Sequence, residues 1–218
     1  MRFRDRTEAG QTLADQLRGM DMHDPVVLAL PRGGVPVAVE IAAALHADVD
    51  VFVARKVGLP GHEEFGVAAI AEGSDELVLG EGAASYGLDR HELAELAARQ
   101  QQELRRRVTA YRGDRKLPEL AGRDVILVDD GVATGITAEA ALKSLRTQRP
   151  RRLILAAGAC AADSKRRLAR IADDVVCATS PRDFVAVGLW YTDFRQVSDQ
   201  EVLDLLHKAE PTVRKARR

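Results

Sequence analysis

Two adjacent acidic residues, Asp129 and Asp130, stand directly after the apolar run at 125–128. Buried neighbouring carboxylates repel each other and lose hydration, so a fold gains little from them unless they meet hydroxyls, cations or backbone donors. The next residues, Gly131–Thr137, are mostly small or hydroxyl-bearing and lead into a segment with helical spacing. Unpaired N–H groups and the helix dipole make such a helix N-terminus favourable for a phosphate. The combination indicates a sugar phosphate site; the alternative is that the acids cap the helix and the glycines only turn the chain.

Two other segments place basic residues at the ends of apolar runs. Residues 32–34, Arg-Gly-Gly, follow the run at 26–30, and Arg55-Lys56 follows the run at 49–54. Glycine lets backbone amides approach an anion closely, so the first segment is a candidate anion site. For the basic pair, a solvated strand end remains the alternative.

The elements that would position these residues begin with a series of short apolar runs rich in β-branched residues. Helix-length segments separate the runs, a pattern typical of buried strands in a parallel sheet. The sequence therefore predicts an α/β fold with a doubly wound parallel sheet. Ligands of such sheets bind beyond the carboxyl ends of the strands, which is where Asp129 and Asp130 stand. The runs lie at 26–30, 49–54, 124–130, 152–159 and 174–179.

Residues 85–112 differ from the rest because they are strongly charged, with Leu and Ala at roughly helical spacing. This pattern predicts a long, mostly solvated helix, within an insertion at about 85–120. We expect the whole chain, 1–218, to form a single domain. The basic tail from Pro211 onward has no periodicity and is expected to fray.

Composition limits the classes of partner. The formal net charge is −1, so no overall field attracts nucleic acid, although Arg105–Arg107 and the tail leave that class as a minor alternative. The longest apolar run is too short to span a bilayer. The two cysteines, Cys160 and Cys177, are too few to staple a chain of 218 residues, and we expect reduced thiols in a cytoplasmic protein. Neither a G-x-G-x-x-G nor a G-x-x-x-x-G-K-[ST] motif is present, which excludes the usual dinucleotide and P-loop sites.

The segment VILVDDGVATGIT at 125–137 resembles the 5-phosphoribosyl-1-pyrophosphate (PRPP) signature of the type I phosphoribosyltransferases. It has four apolar residues, two acids, an apolar or small pair and a small-Thr-Gly-x-Thr loop. The resemblance implies the α/β core of that family. It also implies that Asp129 and Asp130 hold the ribose 2- and 3-hydroxyls as catalytic residues. The residues that would cradle the 5-phosphate are Ala133, Thr134, Gly135, Ile136 and Thr137.

Two further segments resemble the family in its own order. Residues 30–34 are similar to its pyrophosphate loop, where the family often has a strained or cis peptide, and 54–61 resembles the Arg-Lys and Leu-Pro-Gly run of adenine phosphoribosyltransferases. The resemblance implies that the second segment leads into a loop that closes over the site, with His62, Glu63 and Glu64 in that loop. The implied pyrophosphate ligands are Arg32, Gly33 and Gly34, with Arg55 and Lys56 in catalytic roles.

Residues 180–194 are similar to the hood of 6-oxopurine phosphoribosyltransferases, which covers the acceptor base. The resemblance implies that Phe184 or Trp190 stacks on the base and that Asp193 reaches its exocyclic edge or a metal ion. The spacing to Asp193 is one residue longer than in the family, and aromatic residues that only cover the sheet edge are the alternative. The expected hood comprises about 1–24, including Phe3–Arg6, and about 178–207.

Ala133 departs from many purine enzymes of the family, which carry an acid there, and no Lys stands in the run at 152–162. The resemblance therefore implies transfer of the phosphoribosyl group from PRPP to a purine- or pyrimidine-like nitrogenous base with release of pyrophosphate, without indicating ordinary purine salvage. Mg²⁺ is the expected cofactor, held mainly by substrate and water. A non-catalytic PRPP-binding regulator or sensor is the alternative. The expected partners are PRPP and a small base, with a homodimer as the candidate assembly and neither membrane nor nucleic acid.

Overall fold

The computed structural model describes residues 2–59, 62–80 and 86–216, without the side chains at 62–65, 90 and 210–216. In this part of the chain six helices surround a sheet of five parallel strands, and a smaller sheet stands beside it. The elements in chain order are α1 (Arg6–Arg18), β1 (Val26–Ala29), α2 (Gly34–Leu45), β2 (Asp48–Val51), β3 (Ala54–Leu59), β4 (His62–Ala71), β5 (Val78–Leu79), α3 (Arg90–Arg112), β6 (Asp124–Val132), α4 (Ile136–Thr147), β7 (Arg152–Cys160), α5 (Ala162–Leu168), β8 (Asp174–Thr179) and α6 (Asp199–Ala216).

The parallel five-stranded sheet between helices confirms the predicted α/β class, and its central strands β1, β6 and β7 are the most buried. Alternate residues of β6 point to opposite sides. Ile126 and Val128 pack with apolar residues of α1, α2 and α6, whereas Val125 and Leu127 pack with apolar residues of α4. The continuous apolar runs of the sequence are therefore the strands that both helical layers cover.

The strand order is β2-β1-β6-β7-β8, so the winding of the sheet reverses between β1 and β6. From β1 the chain crosses to β2 on one side, and from β6 it continues to β7 and β8 on the other. The loops that leave β1 and β6 separate at this point and open a crevice at the carboxyl ends of the strands. Residues 31–34 and Asp129-Asp130 lie on the two sides of this crevice.

A second, antiparallel sheet with the order β3-β4-β5 corrects two expectations. The run at 49–54 was predicted as one strand, but it contains the end of β2 at Val51 and the start of β3 at Ala54. Val51, Phe52 and Val53 are all buried, so hydrophobicity could not reveal the corner between the sheets. The backbone of residues 62–64, expected in a closing loop, belongs to β4, while Pro60 and Gly61 lie outside the described residues.

Helix α3 begins and packs as an amphipathic helix. The Asp89 side chain accepts from the backbone N–H groups of His91 and Glu92 at 2.7 and 2.9 Å, and the Glu92 side chain bonds back to the Asp89 N–H at 2.9 Å. Leu104 and Tyr111 are buried, so one face of the helix is part of the core. The helix lies where the sequence predicts one; its status as an insertion in a single domain stays a prediction.

Two expectations about the C-terminal half are wrong. Cys160 and Cys177, expected as reduced thiols, form a disulfide between β7 and β8, with Cα atoms 6.1 Å apart. The number of cysteines carries no information on which strands are neighbours, so the sequence could not reveal this pairing. Helix α6 continues to Ala216 through much of the tail that was expected to fray. Within the described ranges, each helix is too short or too polar to cross a bilayer.

Arg112, at the end of α3, connects this helix to both sheets through buried carboxylates. Its Nη1 and Nη2 donate to the Glu72 carboxylate at 3.0 and 2.8 Å, and Nη2 also donates to the Val51 carbonyl at 2.6 Å. Its Nε lies 3.5 Å from Oδ2 of Asp50, whose side chain is 4% exposed. The guanidinium thus neutralises two carboxylates that have lost most of their hydration.

We expect Arg112→Met to destabilise the fold by about 3 kcal/mol or more, because two buried carboxylates would lose their cation. Urea unfolding followed by circular dichroism gives the free energy of unfolding. The control is Arg105→Met, an exposed arginine on the same helix, for which a change within about 0.5 kcal/mol is expected. Equal unfolding midpoints for the two variants would contradict the stabilising role of Arg112.

Candidate functional site

Asp129 and Asp130 lie near the carboxyl end of β6, inside the crevice. Oδ1 of Asp129 accepts a hydrogen bond from the backbone N–H of Asp130 at 2.9 Å. Burial raises the pKa of Asp129 well above its ordinary value, and the charge of Asp130 raises it further. A negative charge on Asp129 is therefore unfavourable until hydroxyl donors or a cation reach it.

Asp130 has a cation, Arg6, from the first turn of α1. The Nε of Arg6 donates to Oδ2 of Asp130 at 2.8 Å, and the two side chains are only 11% and 13% exposed. The guanidinium also donates to the Arg195 carbonyl at 2.9 Å and stacks on the Phe194 ring, 4.0 Å from its centre. The N-terminal helix and the segment before α6 thus meet above the acid.

Tyr191 holds the backbone at the same place. It is buried, and its hydroxyl donates to the Asp130 carbonyl at 2.6 Å. Burial and then the charges of Asp130 and Asp129 raise the pKa of Tyr191, so the hydroxyl keeps its proton. The sequence assigned no role to Tyr191 and none specifically to Arg6, because their contacts join positions 61 and 124 residues apart in the chain.

The loop from Pro31 to Gly34 forms the opposite wall of the crevice, and its glycines are required by close contacts. A Cβ on Gly33 would stand 2.1 Å from Oδ2 of Asp130, and one on Gly34 would stand 2.5 Å from the Val128 carbonyl. The Pro31–Arg32 peptide bond is cis. The expected pyrophosphate loop therefore contacts the expected ribose acid directly.

The loop at 133–137 ends at the N-terminus of α4. The N-cap is Gly135, with φ of 72°, and no side chain caps the helix. The alternative that the Asp pair caps this helix is therefore not observed. Ser164 donates to the Ala133 carbonyl at 2.5 Å and Arg167 donates to the Thr134 carbonyl, so α5 fixes the loop.

Residues 133–137 of this loop differ in how exposed they are. Ala133 and Thr134 are exposed, Gly135 and Thr137 are half-buried, and the Ile136 side chain is buried in the core. Because the Ile136 side chain is buried, this residue could contact a ligand only through its backbone N–H. Main-chain donors at the first turn of α4, together with the threonine hydroxyls, form a local arrangement suited to a phosphate.

The side chains of Arg55 and Lys56 point to opposite faces of β3. Arg55 faces α3 and donates to Oε1 of Gln100 at 2.9 and 3.2 Å. Burial lowers the pKa of Arg55, and the nearby charge of Arg107 lowers it further. The stem of Lys56 lies against Gly66 of β4, where a Cβ would stand 2.6 Å from its carbons. Adjacent strand residues point to opposite faces.

The two aromatic residues predicted to bind a base contact each other. The rings of Phe184 and Trp190 are stacked, with centres 6.3 Å apart and planes at 22°. The Trp190 Nε1 is buried and has no hydrogen-bond partner among the described residues. Asp193 is exposed, and its carboxylate accepts from the Arg195 N–H at 3.1 Å.

The comparisons with known proteins agree on one family. The model of the phosphoribosyl transferase domain matches residues 5–192. Two Mycobacterium tuberculosis proteins, from strains CDC 1551 and H37Rv, carry the provisional name of phosphoribosyl transferase. Each is 40% identical over 207 residues, which are 95% of this chain and 47% of the relative. The chain thus spans about half the length of these curated relatives.

Solved structures share the fold. The crystal structure of TT1426 from Thermus thermophilus is 46% identical, covers 95% of this chain and 99% of its own, and superposes with a TM-score of 0.80. The AQ2163 protein of Aquifex aeolicus is 13% identical over 93% of this chain and 85% of its own, with a TM-score of 0.53. The second structure supports the fold alone.

The two acids should respond oppositely to neutralisation. We expect Asp129→Asn to stabilise the unliganded protein by about 1 kcal/mol at pH 7, because it removes an unfavourable buried charge. Asp130→Asn should destabilise it, by about 3 kcal/mol, because Arg6 would lose its carboxylate partner. Urea unfolding of the two variants beside the parent protein measures both changes.

The pH dependence of the stability difference tests whether the charge on Asp129 is its cause. The pKa of Asp129 is raised on folding, so the parent protein loses stability as the pH rises above the unfolded-state value of about 3.9. The advantage of Asp129→Asn should therefore vanish below that pH, where Asp129 is protonated in both states. An advantage that persisted at pH 3 would contradict the electrostatic explanation.

Proposed function

Because the chain belongs to the phosphoribosyl transferase domain family, we propose that it transfers the 5-phosphoribosyl group of PRPP to a nitrogenous, purine- or pyrimidine-like acceptor and releases pyrophosphate. One observation carries the proposal. The acid pair of β6 lies at the switch point of the sheet, directly before a helix N-terminus that no side chain caps. Acceptors for sugar hydroxyls and donors for a phosphate are thus neighbours in one crevice.

The donor would bind through its ribose phosphate end. Asp129 and Asp130 accept the 2- and 3-hydroxyls, while the loop at 133–137 binds the 5-phosphate through its amides and the Thr134 and Thr137 hydroxyls. Hydroxyl donors stabilise the charged form of Asp129, whose pKa is raised in the unliganded protein. Binding of the sugar would therefore stabilise the charge of Asp129, while Arg6 is hydrogen-bonded to Asp130.

The pyrophosphate end would lie against the loop at 31–34 and β3. Arg32, the amides of Gly33 and Gly34, and the side chains of Arg55 and Lys56 would stabilise the negative charge of the leaving group. When Mg²⁺ is bound, it supplies further charge neutralisation of the pyrophosphate oxygens. The described residues include no cluster of three or more His, Cys, Asp or Glu that could hold a metal. The carboxylate oxygens of Asp129 and Asp130 are hard donors that suit the ion, with substrate and water as its main ligands.

The reaction is a displacement at the anomeric carbon. The acceptor nitrogen donates its lone pair to that carbon, the bond to the pyrophosphate oxygen breaks, and pyrophosphate leaves with the electron pair. The N–H proton of the acceptor passes to pyrophosphate or to water. Positive charge develops on the sugar ring in the transition state, so positioning and electrostatic stabilisation supply the catalysis. Ala133 cannot transfer a proton, so the acceptor must offer its nitrogen without help from that position.

The acceptor would bind under a hood formed by about 1–24 and 178–207. Phe184 and Trp190 already stack on each other and present the aromatic surface for a planar base. Asp193 would have to give up its contact with the Arg195 N–H to reach the base or a metal ion. A single domain with this hood, a homodimer, and a cytoplasmic location without nucleic-acid or membrane partners remain predictions from the sequence.

A second candidate is a regulator that binds PRPP without turnover. The absence of an acid at Ala133 favours it, because no side chain at that position can transfer a proton to or from an acceptor. The Arg6–Asp130 ion pair does not separate the two candidates, because it must rearrange before both hydroxyls of PRPP can bind, whether or not turnover follows.

PRPP binding tests the site itself. We expect Asp129→Asn to weaken PRPP binding at least about tenfold, since it removes a charge-assisted hydrogen bond to a ribose hydroxyl. Isothermal titration calorimetry gives the affinity. Asp163→Asn, at a carboxylate that is 86% exposed on α5, is the control and should bind as the parent does. Unchanged PRPP affinity in Asp129→Asn would count against the proposed role of the acid pair.

Release of pyrophosphate separates the two candidates. With Mg²⁺ and PRPP present, we expect release when one member of a panel of purines, pyrimidines and other ring nitrogens is added. Coupled detection of pyrophosphate gives the rate. Saturable PRPP binding with no release for any acceptor would support the regulator instead.

A further inference from the structure

Four arginines from three parts of the chain converge beside the loop at 31–34. Arg32 and Arg106 approach the same carboxylate, Asp199, at 3.5 and 3.9 Å. Arg106 and Arg107 both bind the Glu103 carboxylate, at 2.7 and 2.8 Å. Contacts through shared carboxylates therefore bring α3 and the start of α6 to the predicted pyrophosphate loop. Arg55 of β3 completes the group.

One face of α3 carries this arrangement. Gln100, Glu103, Arg107 and Tyr111 follow one another at spacings of three and four residues, so they lie on the same side of the helix. Gln100 accepts from Arg55 at 2.9 Å. The Tyr111 hydroxyl bonds to Asp199 at 2.6 Å. This face therefore joins β3 to α6 directly beside Arg32.

Arg107 points inward and Arg106 points outward. The Arg107 side chain is 16% exposed, whereas the Arg106 side chain is 53% exposed. The Glu103 carboxylate holds Arg107 from one helical turn earlier, at i and i+4. A half-buried guanidinium fixed by a neighbouring carboxylate is already positioned for a ligand, at little further cost in side-chain entropy.

The charges of this group do not cancel among the contacts described. Two carboxylates, Glu103 and Asp199, contact three of the four guanidinium groups, and the fourth, that of Arg55, bonds to the neutral amide of Gln100. Burial lowers the pKa of Arg55, and the charges of Arg107, Arg106 and Arg32 lower it further, against a smaller opposing effect of Glu103. Like charges in a partly buried place repel strongly, and a polyanion would relieve the repulsion.

We propose that Arg107 of α3 binds the pyrophosphate group of the donor together with Arg32 and Arg55. The proposal rests on the proposed function, and it gives α3 a role in the site to which the sequence did not assign it. A guanidinium can meet two phosphate oxygens at once, which suits pyrophosphate better than a single phosphate. The group is continuous with the crevice, because Gly33, next to Arg32, packs on the Asp130 carboxylate.

Calorimetric titration with three ligands tests the proposal: PRPP, magnesium pyrophosphate and ribose 5-phosphate. We expect Arg107→Met to bind PRPP and pyrophosphate at least about tenfold more weakly, equivalent to about 1.4 kcal/mol. Its affinity for ribose 5-phosphate should change less than about twofold, since that ligand lacks the pyrophosphate. The matched control is Arg105→Met, which changes an exposed arginine two positions earlier and should leave all three affinities unchanged. Arg107→Lys keeps the charge without the planar fork and should fall between the parent and Arg107→Met.

The contrary outcomes distinguish a failure of the role of Arg107 from a failure of the proposed function. If Arg107→Met keeps the parent's affinity for pyrophosphate, the role of Arg107 is overturned while the sugar phosphate site stands. The same holds if ribose 5-phosphate affinity falls as much as pyrophosphate affinity, because the loss would then be general. If the parent protein binds none of the three ligands, both the proposed function and this inference are wrong.

Discussion

The charge on two adjacent carboxylates at the end of β6 is the constraint around which the crevice is organised. One carboxylate, Asp130, is neutralised by a buried arginine, and the other, Asp129, accepts from the backbone N–H of Asp130 and has a raised pKa. Removing two such groups from water costs several kcal/mol in a protein unless partners replace the hydration. The unliganded molecule supplies those partners for one acid and leaves the second for a ligand.

The arrangement of the N-terminal segment and of residues 190–195 is linked to the same charge. Arg6 can reach Asp130 only because the N-terminal segment is fixed beside residues 190–195. The Phe3 N–H donates to the Trp190 carbonyl at 2.8 Å, and the Thr192 N–H donates back to the Phe3 carbonyl at 2.8 Å. Phe3 and Tyr191 are buried against each other, with ring centres 5.6 Å apart. A hydrophobic contact and two backbone hydrogen bonds therefore position the cation, so any movement of this segment would also change the charge balance at Asp130.

The sequence predicted the parts of the site that are local in the chain. The apolar run, the two acids and the small residues of 125–137 form a strand, its end and a helix start in that order, so spacing alone was informative. Arg6 and Tyr191 could not be found this way, because their partner Asp130 is far away in sequence. The Cys160–Cys177 disulfide was missed for the same reason, and its presence removes the argument from reduced thiols for a cytoplasmic location. The sequence did not predict the second sheet, because residues 51–53 stay buried while the chain passes from one sheet to the other.

The two walls of the crevice carry uncompensated charge of opposite sign, and this limits which ligand can relieve both. The β6 wall has a carboxylate whose pKa is raised by burial and by the charge of Asp130, so hydroxyl donors or a cation would stabilise its charged form. The wall formed by the loop at 31–34, β3 and α3 has more guanidinium groups than carboxylates, so it requires an anion. A free phosphate would satisfy the second wall and be repelled by the first, whereas a neutral sugar would satisfy the first wall and leave the second without an anion. A sugar that presents its hydroxyls at one side and a polyphosphate at the other satisfies both in a single orientation, which is the electrostatic reason that an activated ribose phosphate fits this crevice.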